Sequence, residues 1–392
     1  VETGAADLEY IQAAIYRLTL VQMRLGLFDP QPTLPWYNLG PNDVCTNESL
    51  ALSHEATQQG IVLLKNANNA LPLKNYNNIK IALIGPNANN ENVMKGNYYG
   101  DPPFIYSVFK GLSEYVDSSN IDYVKGCDIN TKSTTGFNKA ITAAKDADIT
   151  IMVMGLDQSQ ESEGNDRVSI DLPGQQNNLI GNITANVNKP IILVFINGGS
   201  VDISKWRDSN NINGILAAGY PGMYGGLAIS DIIFGTFNPT GLLDQTWYYA
   251  NYINEVQMNN MGMRPNKTNG QYGPNPGRGY RYYNGSVVYP FGYGLSYTTF
   301  TCSNLNVNGD VISLNIKNTG TTNGGAVILI YWIPNNAGIN GIELKRLIGF
   351  ERVNMLNTGE STTINAKMFQ QFYYNEYNPN SGTFTMSGAC KA

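Results

Sequence analysis

Four short apolar runs, at 79–84, 149–154, 191–195 and 215–218, constrain the fold of this chain more tightly than anything else in it. The first three are nearly continuous in apolar residues; the last, Ile-Leu-Ala-Ala, is weaker. A strand with one wet face alternates apolar and polar residues. A strand buried on both faces has no wet side, and near-continuous apolar runs are the mark of parallel sheets. Helix-period segments lie between the runs, at 137–147 and 175–187. That alternation predicts an α/β sandwich, an open and mostly parallel sheet with helices on both faces. Ligands of such sheets sit beyond the carboxyl ends of the strands. Here those ends lead into Gly85-Pro86, Gly155-Leu156-Asp157, Asn197-Gly198-Gly199 and Gly219-Tyr220-Pro221-Gly222.

The flanking segments follow other rules. Leu8, Ile11, Ile15, Leu18, Val21 and Leu25 recur at helical spacing and predict a helix over 6–27. Asp29-Pro30 ends it, because the residue before proline avoids the helical region. A linker rich in Pro, Asn and Gly runs to Cys45, and a second helix over 48–60 feeds the apolar run Ile61-Val62-Leu63-Leu64. Residues 250–297 show little periodicity and read as a wrapping connection. From 298, short alternating runs at 311–316, 327–333, 362–366 and 383–386 are separated by Gly/Asn/Thr turns and predict an all-β sandwich.

Composition narrows the function. Charged residues are 14% of the 392, against about 25% in typical soluble proteins, so the surface leans on neutral polar groups. The 25 Tyr and the many Asn suit neutral, hydroxyl-rich ligands, although coding bias explains the Asn equally well. A net charge of −5 with no basic run argues against nucleic acid as a partner. No apolar stretch reaches the roughly 18 residues of a membrane span. One histidine, and four cysteines with no CxxC pair, make a zinc cluster improbable. Val1 is not an initiator Met, so the sequence is expected to begin mid-protein or after processing. Sequons at Asn47, Asn182, Asn266 and Asn284, with the scattered cysteines, favour a secreted glycoprotein. Cys302 and Cys390 bracket the last segment and are candidates to tie its ends, though sequence alone does not fix the pairing.

The most informative loop is 155–167, which places Asp157, Glu161, Glu163, Asp166 and Arg167 just after a buried strand. Two carboxylates two residues apart can divide the roles of acid and supporting group if their environments differ. A solvated acidic loop is the plainer alternative. Asn97, Tyr98 and Tyr99, in the loop after the first strand, offer contacts to sugar hydroxyls and ring faces, or ordinary loop packing. His54, between Ser53 and Glu55 on the second helix, reads as a surface residue, and nothing around it suggests a Ser-His-Asp site. No GxGxxG follows the first strand and no GxxxxGK[ST] occurs anywhere, which argues against a nucleotide phosphate loop.

These same residues carry a resemblance to glycoside hydrolase family 3. Glu163-Gly164-Asn165-Asp166-Arg167, followed by Leu172-Pro173-Gly174, looks like that family's acid-bearing loop. The segment from Gly60 to Asn66, with Leu71-Pro72-Leu73, resembles the opening of its second domain, and 290–297 resembles the entry into its fibronectin type III-like domain. Gly219-Tyr220-Pro221-Gly222 and Asn238-Pro239-Thr240-Gly241 match as well. Within the family the β-xylosidase branch fits best, through Gly96-Asn97-Tyr98-Tyr99-Gly100, Gly155-Leu156-Asp157-Gln158-Ser159 and Met263-Arg264-Pro265. Gly279 stands where that branch often has Thr.

The resemblance implies four segments. Residues 1–40 would be the last helix of a (β/α)8 barrel and a linker, 41–249 the α/β sandwich with the acid/base loop, 250–297 the connection, and 298–392 an immunoglobulin/fibronectin III-like sandwich. It implies retaining exo-hydrolysis of a terminal β-linked sugar, xylose by the branch. A β-glucosidase, an α-L-arabinofuranosidase and a non-catalytic carbohydrate-binding fragment are the alternatives. Glu163 would be the acid/base, with Glu161 the second candidate. Asn97, Tyr98 and Tyr99 would hold substrate, and Asp166 would pair with Arg167 to brace the loop. The family's nucleophilic Asp lies on the barrel, and no matching strand-borne Asp occurs here, so a barrel chain and an oligosaccharide are the implied partners. No metal or organic cofactor is implied.

Overall fold

A computed structural model of the protein describes residues 4, 7–270, 273–375, 378 and 380–389. The chain forms two compact units, 1–53 and 54–392. In the first, α1 (Leu8–Arg24) forms where the helical spacing predicts and buries none of its residues. Short 3-10 turns at Gln31–Thr33 and Pro41–Asp43, each with proline at its start, occupy the linker. Helix α2 (Asn47–Gly60) follows.

The second unit is built on six strands: β1 (Val62–Asn66), β2 (Ile81–Ile84), β3 (Ile121–Val124), β4 (Ile149–Gly155), β5 (Ile191–Ile196) and β6 (Gly214–Ala217). Their order in the sheet is β1-β6-β5-β4-β2-β3. Five run parallel, while β1 pairs antiparallel with β6 at the edge. Every residue of β2, β4, β5 and β6 is buried, which is why these stretches read as apolar without alternation. Successive side chains in a strand point to opposite faces. Met152, Met154, Leu193 and Phe195 therefore join one core, under α4 (Phe137–Asp146) and α5 (Gln176–Asn186). Ile151, Val153, Ile192 and Val194 join the other, under α3 (Val108–Ser113) and, beyond the one-turn α6 (Ser204–Arg207), α7 (Gly225–Phe234). Each such side chain, fully buried, contributes roughly 1.5–3 kcal/mol of transfer free energy. Truncating Ile192 to Ala would cost about 2–5 kcal/mol once the cavity is counted.

Strand β3 escapes the apolar-run criterion. It is an edge strand whose Asp122 is exposed, so it shows neither a continuous run nor a long alternation. The connection carries a short pair, β7 (Asn266–Gly270) and β8 (Gly273–Asn275). It is pinned to the α/β unit where the Leu295 N–H donates to the Leu63 carbonyl (2.8 Å) and the Val288 N–H to that of Trp247 (2.8 Å).

The C-terminal region is β-rich rather than all-β as expected, because a short helix at Gln370–Asn375 joins its last two strands. Strands β9 (Phe300–Asn308), β10 (Val311–Asn318), β11 (Gly324–Pro334), β12 (Arg346–Leu356), β13 (Ser361–Lys367) and β14 (Gly382–Gly388) form two antiparallel sheets, β13-β10-β9 and β12-β11-β14. Ile312, Leu314 and Ile316 from one sheet and Ile328, Ile330 and Trp332 from the other share a single core. The alternation expected of a half-buried sheet is clear in β10 and weak in β12, where Arg346, Glu351, Arg352 and Asn354 interrupt it. Cys45 and Cys127 are free thiols. The candidate partner of Cys302, Cys390, lies outside the described residues.

Candidate active site

The loops after β2, β4, β5 and β6 converge at the carboxyl edge of the sheet. After β4 the chain turns at Asp157, whose carbonyl accepts from Gln160 N (2.9 Å) and Glu161 N (3.2 Å). It then forms a tight hairpin in which Ser162 and Asn165 exchange N–H···O bonds of 3.2 and 2.9 Å. Glu163 and Gly164 occupy the tip. Gly164 takes φ +73°, a left-handed conformation that glycine adopts without steric cost. Asn165 Nδ2 ties the hairpin back to the Ser159 carbonyl at 2.7 Å.

The stem is locked. Glu161 accepts from Gly198 N (2.6 Å), from Gly199 N (3.1 and 3.2 Å) and from the Tyr220 hydroxyl (2.7 Å), and pairs with Arg167 Nε at 3.1 Å. Arg167 also donates through both terminal nitrogens to the Ser200 carbonyl (3.2 Å each). The cradle packs closely on the Gly198-Gly199 pair. A Cβ at Gly199 would lie 2.2 Å from Arg167 Nη2, and one at Gly198 would lie 3.0 Å from Glu161 Oε1. Gln245 closes it from below, accepting from Ser200 N (3.1 Å) and donating to the Gly198 carbonyl (2.6 Å). The expected brace of Asp166 with Arg167 is therefore built differently. Arg167 pairs with Glu161, and Asp166 is exposed.

The tip is open. Glu163 is exposed, and its carboxylate holds the nearby Tyr98 phenol above its ordinary range. Tyr98 comes from the loop after β2, with φ +53° and 79% of its surface accessible. Its neighbours Asn97 and Tyr99 are exposed too, and Lys95 Nζ stands 4.0 Å over the Tyr99 ring. The structure thus sets Tyr98 near Glu163 and holds Asn97 and Tyr99 on the same exposed loop. Beside the stem a cavity of about 750 Å³ opens between Asn165, Asp166 and Arg167 on one side and Ile253, Gln257 and Met258 on the other. Among the described residues no cluster of His, Cys, Asp and Glu could hold a metal ion.

Two features went unread in the sequence. Gly198-Gly199 and Tyr220 stood out as strand-end residues, but not as the partners of Glu161. His54 does not behave as a surface residue either. Its Nε2 lies 2.7 Å from Oδ2 of buried Asp231, which also accepts from Gln58 (2.6 Å) and Tyr115 (2.5 Å), and its ring stacks on Tyr224. Burial would raise the Asp231 carboxyl. The bonds from His54, Tyr115 and Gln58 together outweigh it and hold the group below the ordinary carboxylate range.

A domain model of the glycosyl hydrolase family 3 C-terminal domain matches residues 61–297. β-D-Xylosidase 1 of Arabidopsis thaliana is 38% identical over 92% of the chain and 50% of its own length. A β-xylosidase/α-L-arabinofuranosidase of Medicago sativa subsp. varia gives the same figures, 38%, 92% and 50%. Among solved structures, a family 3 exo-β-xylosidase bound to a xylobiose aziridine probe superposes with a TM-score of 0.81 at 32% identity, covering 94% of this chain and 49% of that one. A β-glucosidase of Erythrobacter marinus gives 0.75 at 26% identity, covering 99% and 54%. The chain spans about half the length of the curated relatives it matches. On this domain match, and on relatives that extend beyond it at both ends, the chain belongs to glycoside hydrolase family 3.

Proposed function

We propose that the chain is the acid/base-bearing part of a retaining exo-β-xylosidase that releases terminal xylose from xylo-oligosaccharides. One observation carries the assignment of the acid. Of two carboxylates two residues apart, Glu161 has its acceptor positions filled by protein donors, and Glu163 stands free at a hairpin tip. A general acid must reach the leaving oxygen to within about 2.6–3.2 Å, which the tip can do and the stem cannot. In this reading Glu163 protonates the leaving oxygen, then takes a proton from the water that opens the glycosyl-enzyme intermediate. The nucleophile comes from an N-terminal (β/α)8 barrel, about 5–5.5 Å from the acid as retaining enzymes require. The apolar stripe of α1, none of it buried, is the face the barrel would cover. Asn97, Tyr98 and Tyr99 line the sugar side, since tyrosine pairs hydroxyl bonding with a flat apolar face.

The C-terminal β-rich region is read as fibronectin III-like, and the protein as secreted. Exposed sequons at Asn47, Asn266 and Asn284 support glycosylation. Asn182 is a poorer acceptor, because it sits in α5 and the hydroxyl of its Thr184 donates to the Gly181 carbonyl (3.0 Å). A dual xylosidase/arabinofuranosidase is the second reading, favoured by the Medicago relative. The test is to assay the enzyme that contains this chain and a barrel on nitrophenyl xyloside, glucoside and arabinofuranoside. A kcat/KM highest on xyloside supports the proposal, and one highest on glucoside refutes it.

A further inference from the structure

We infer that Tyr220 is a positioning residue that couples the sugar-side loop to the acid loop, so that Glu163 is presented only when both loops are seated. The inference rests on the assignment of Glu163 above.

Tyr220 lies on the turn after β6 and touches the three neighbouring strand-end loops. Its hydroxyl donates to Glu161 Oε1 at 2.7 Å, on the loop after β4. Its ring covers Gly198 after β5, where an added Cβ would stand 3.0 Å from Tyr220 Cε2. The Cβ and ring of Tyr220 also cover Gly96 after β2, where an added Cβ would stand 3.1 Å from Tyr220 Cβ and 3.3 Å from Cδ2. A backbone bond from Gly222 N to the Met94 carbonyl (2.8 Å) fixes the Tyr220 turn to the start of that same sugar-side loop. Two residues past Gly96 stands Tyr98, whose phenol the Glu163 carboxylate holds above its ordinary range. Tyr220 therefore holds the acid loop at Glu161 and the sugar-side loop at Gly96, with its own turn tied to that loop at Met94.

The two halves of this side chain have separable roles. The hydroxyl fixes the stem. Desolvation, with the bond to Glu161, pushes the phenol far above its usual range, so it stays a donor throughout the reaction. The ring seats Gly96 and hence the tyrosines that follow it. A residue that merely filled space would show no such division.

The experiment uses the enzyme containing this chain, with Tyr220→Phe, Tyr220→Leu and Glu163→Ala, and reads both kinetics and amide hydrogen exchange. Tyr220→Phe removes only the hydroxyl. It should lower kcat/KM on xylobiose about tenfold, the effect of one hydrogen bond to a charged group, with KM unchanged and with little loss of kcat/KM on an aryl xyloside, whose first step needs no proton. Tyr220→Leu should add a rise in KM. In both variants exchange should quicken in 158–165 and, for Leu, in 96–100 as well. Equal losses of kcat/KM on xylobiose and on the activated aryl xyloside would overturn the inference, as would faster exchange confined to the acid loop in Tyr220→Leu. Full xylobiose activity of Glu163→Ala would sink the acid assignment instead, and the exchange data would still report the coupling of the loops.

Discussion

Glu161 and Glu163 stand two residues apart on one loop, yet they occupy opposite surroundings. At the stem, Glu161 is held by two backbone amides, a tyrosine hydroxyl and an arginine. At the tip, Glu163 is exposed and acts on the Tyr98 phenol of a neighbouring loop only by raising it. The difference shows how a carboxylate can be made structural or reactive without changing the residue. The stem spends its lone pairs on the protein and so fixes the loop. The tip keeps its own for a ligand and relies on the stem for position. Precision at a reacting centre depends on such support, because small displacements far from the chemistry cost large factors in rate.

That contrast can be broken at several points. The largest effect belongs to the tip. Glu163→Ala should reduce kcat on xylobiose by about 10²–10⁴-fold while leaving the urea midpoint unchanged, a combination that steady-state kinetics and an unfolding curve check together. Next comes the cradle. In Gly199→Ala the new Cβ falls 2.2 Å from Arg167 Nη2, so overpacking should cost about 1–3 kcal/mol in chemical denaturation and displace the stem. At the tip, Gly164→Ala meets open space, and only the strain of φ +73° remains, worth about 1 kcal/mol.

Asp231 is a third carboxylate, locked as Glu161 is, but away from the site. Its folded pKa is depressed. The stability it contributes is therefore present above the unfolded value of about 3.9 and is lost as pH falls through the lower folded value. Asp231→Asn should flatten the pH dependence of stability below about pH 4, which denaturant midpoints across an acid series will measure. The smallest effect is expected at Tyr98→Phe. Loss of one exposed hydroxyl should raise KM for xylobiose about threefold or less with kcat changed little.

Much of the architecture is legible from residue patterns, and the reasons differ by element. Strands β4 and β5 announce themselves because burial on both faces removes every polar position but one, Thr150. Strand β3 does not, since an edge position lets Asp122 face solvent. At the site, the local part is readable. The place of the acid loop on the ligand side follows from its position just after a buried strand. The partners of Glu161 are not readable, because Gly198 and Tyr220 lie 37 and 59 residues further along the chain. Only the fold brings them there. The same distance hides the pairing of His54 with Asp231, 177 residues away. Neighbours in sequence misled once, by making Asp166 the natural partner of Arg167 when the stem supplies Glu161.

The most direct test of stem against tip is azide rescue of Glu163→Ala and Glu161→Ala side by side, in the enzyme that contains this chain, with an activated aryl xyloside. The aryl group leaves with little help from an acid, so the first step proceeds and the glycosyl-enzyme intermediate forms. Azide needs no general base. It attacks the anomeric carbon, forms the C–N bond and releases the enzyme carboxylate. The account predicts that azide restores turnover in Glu163→Ala and yields β-xylosyl azide, and that Glu161→Ala, its loop misplaced rather than its base removed, is not rescued. Rescue in Glu161→Ala alone would contradict the account, and so would near-normal hydrolysis of xylobiose by Glu163→Ala.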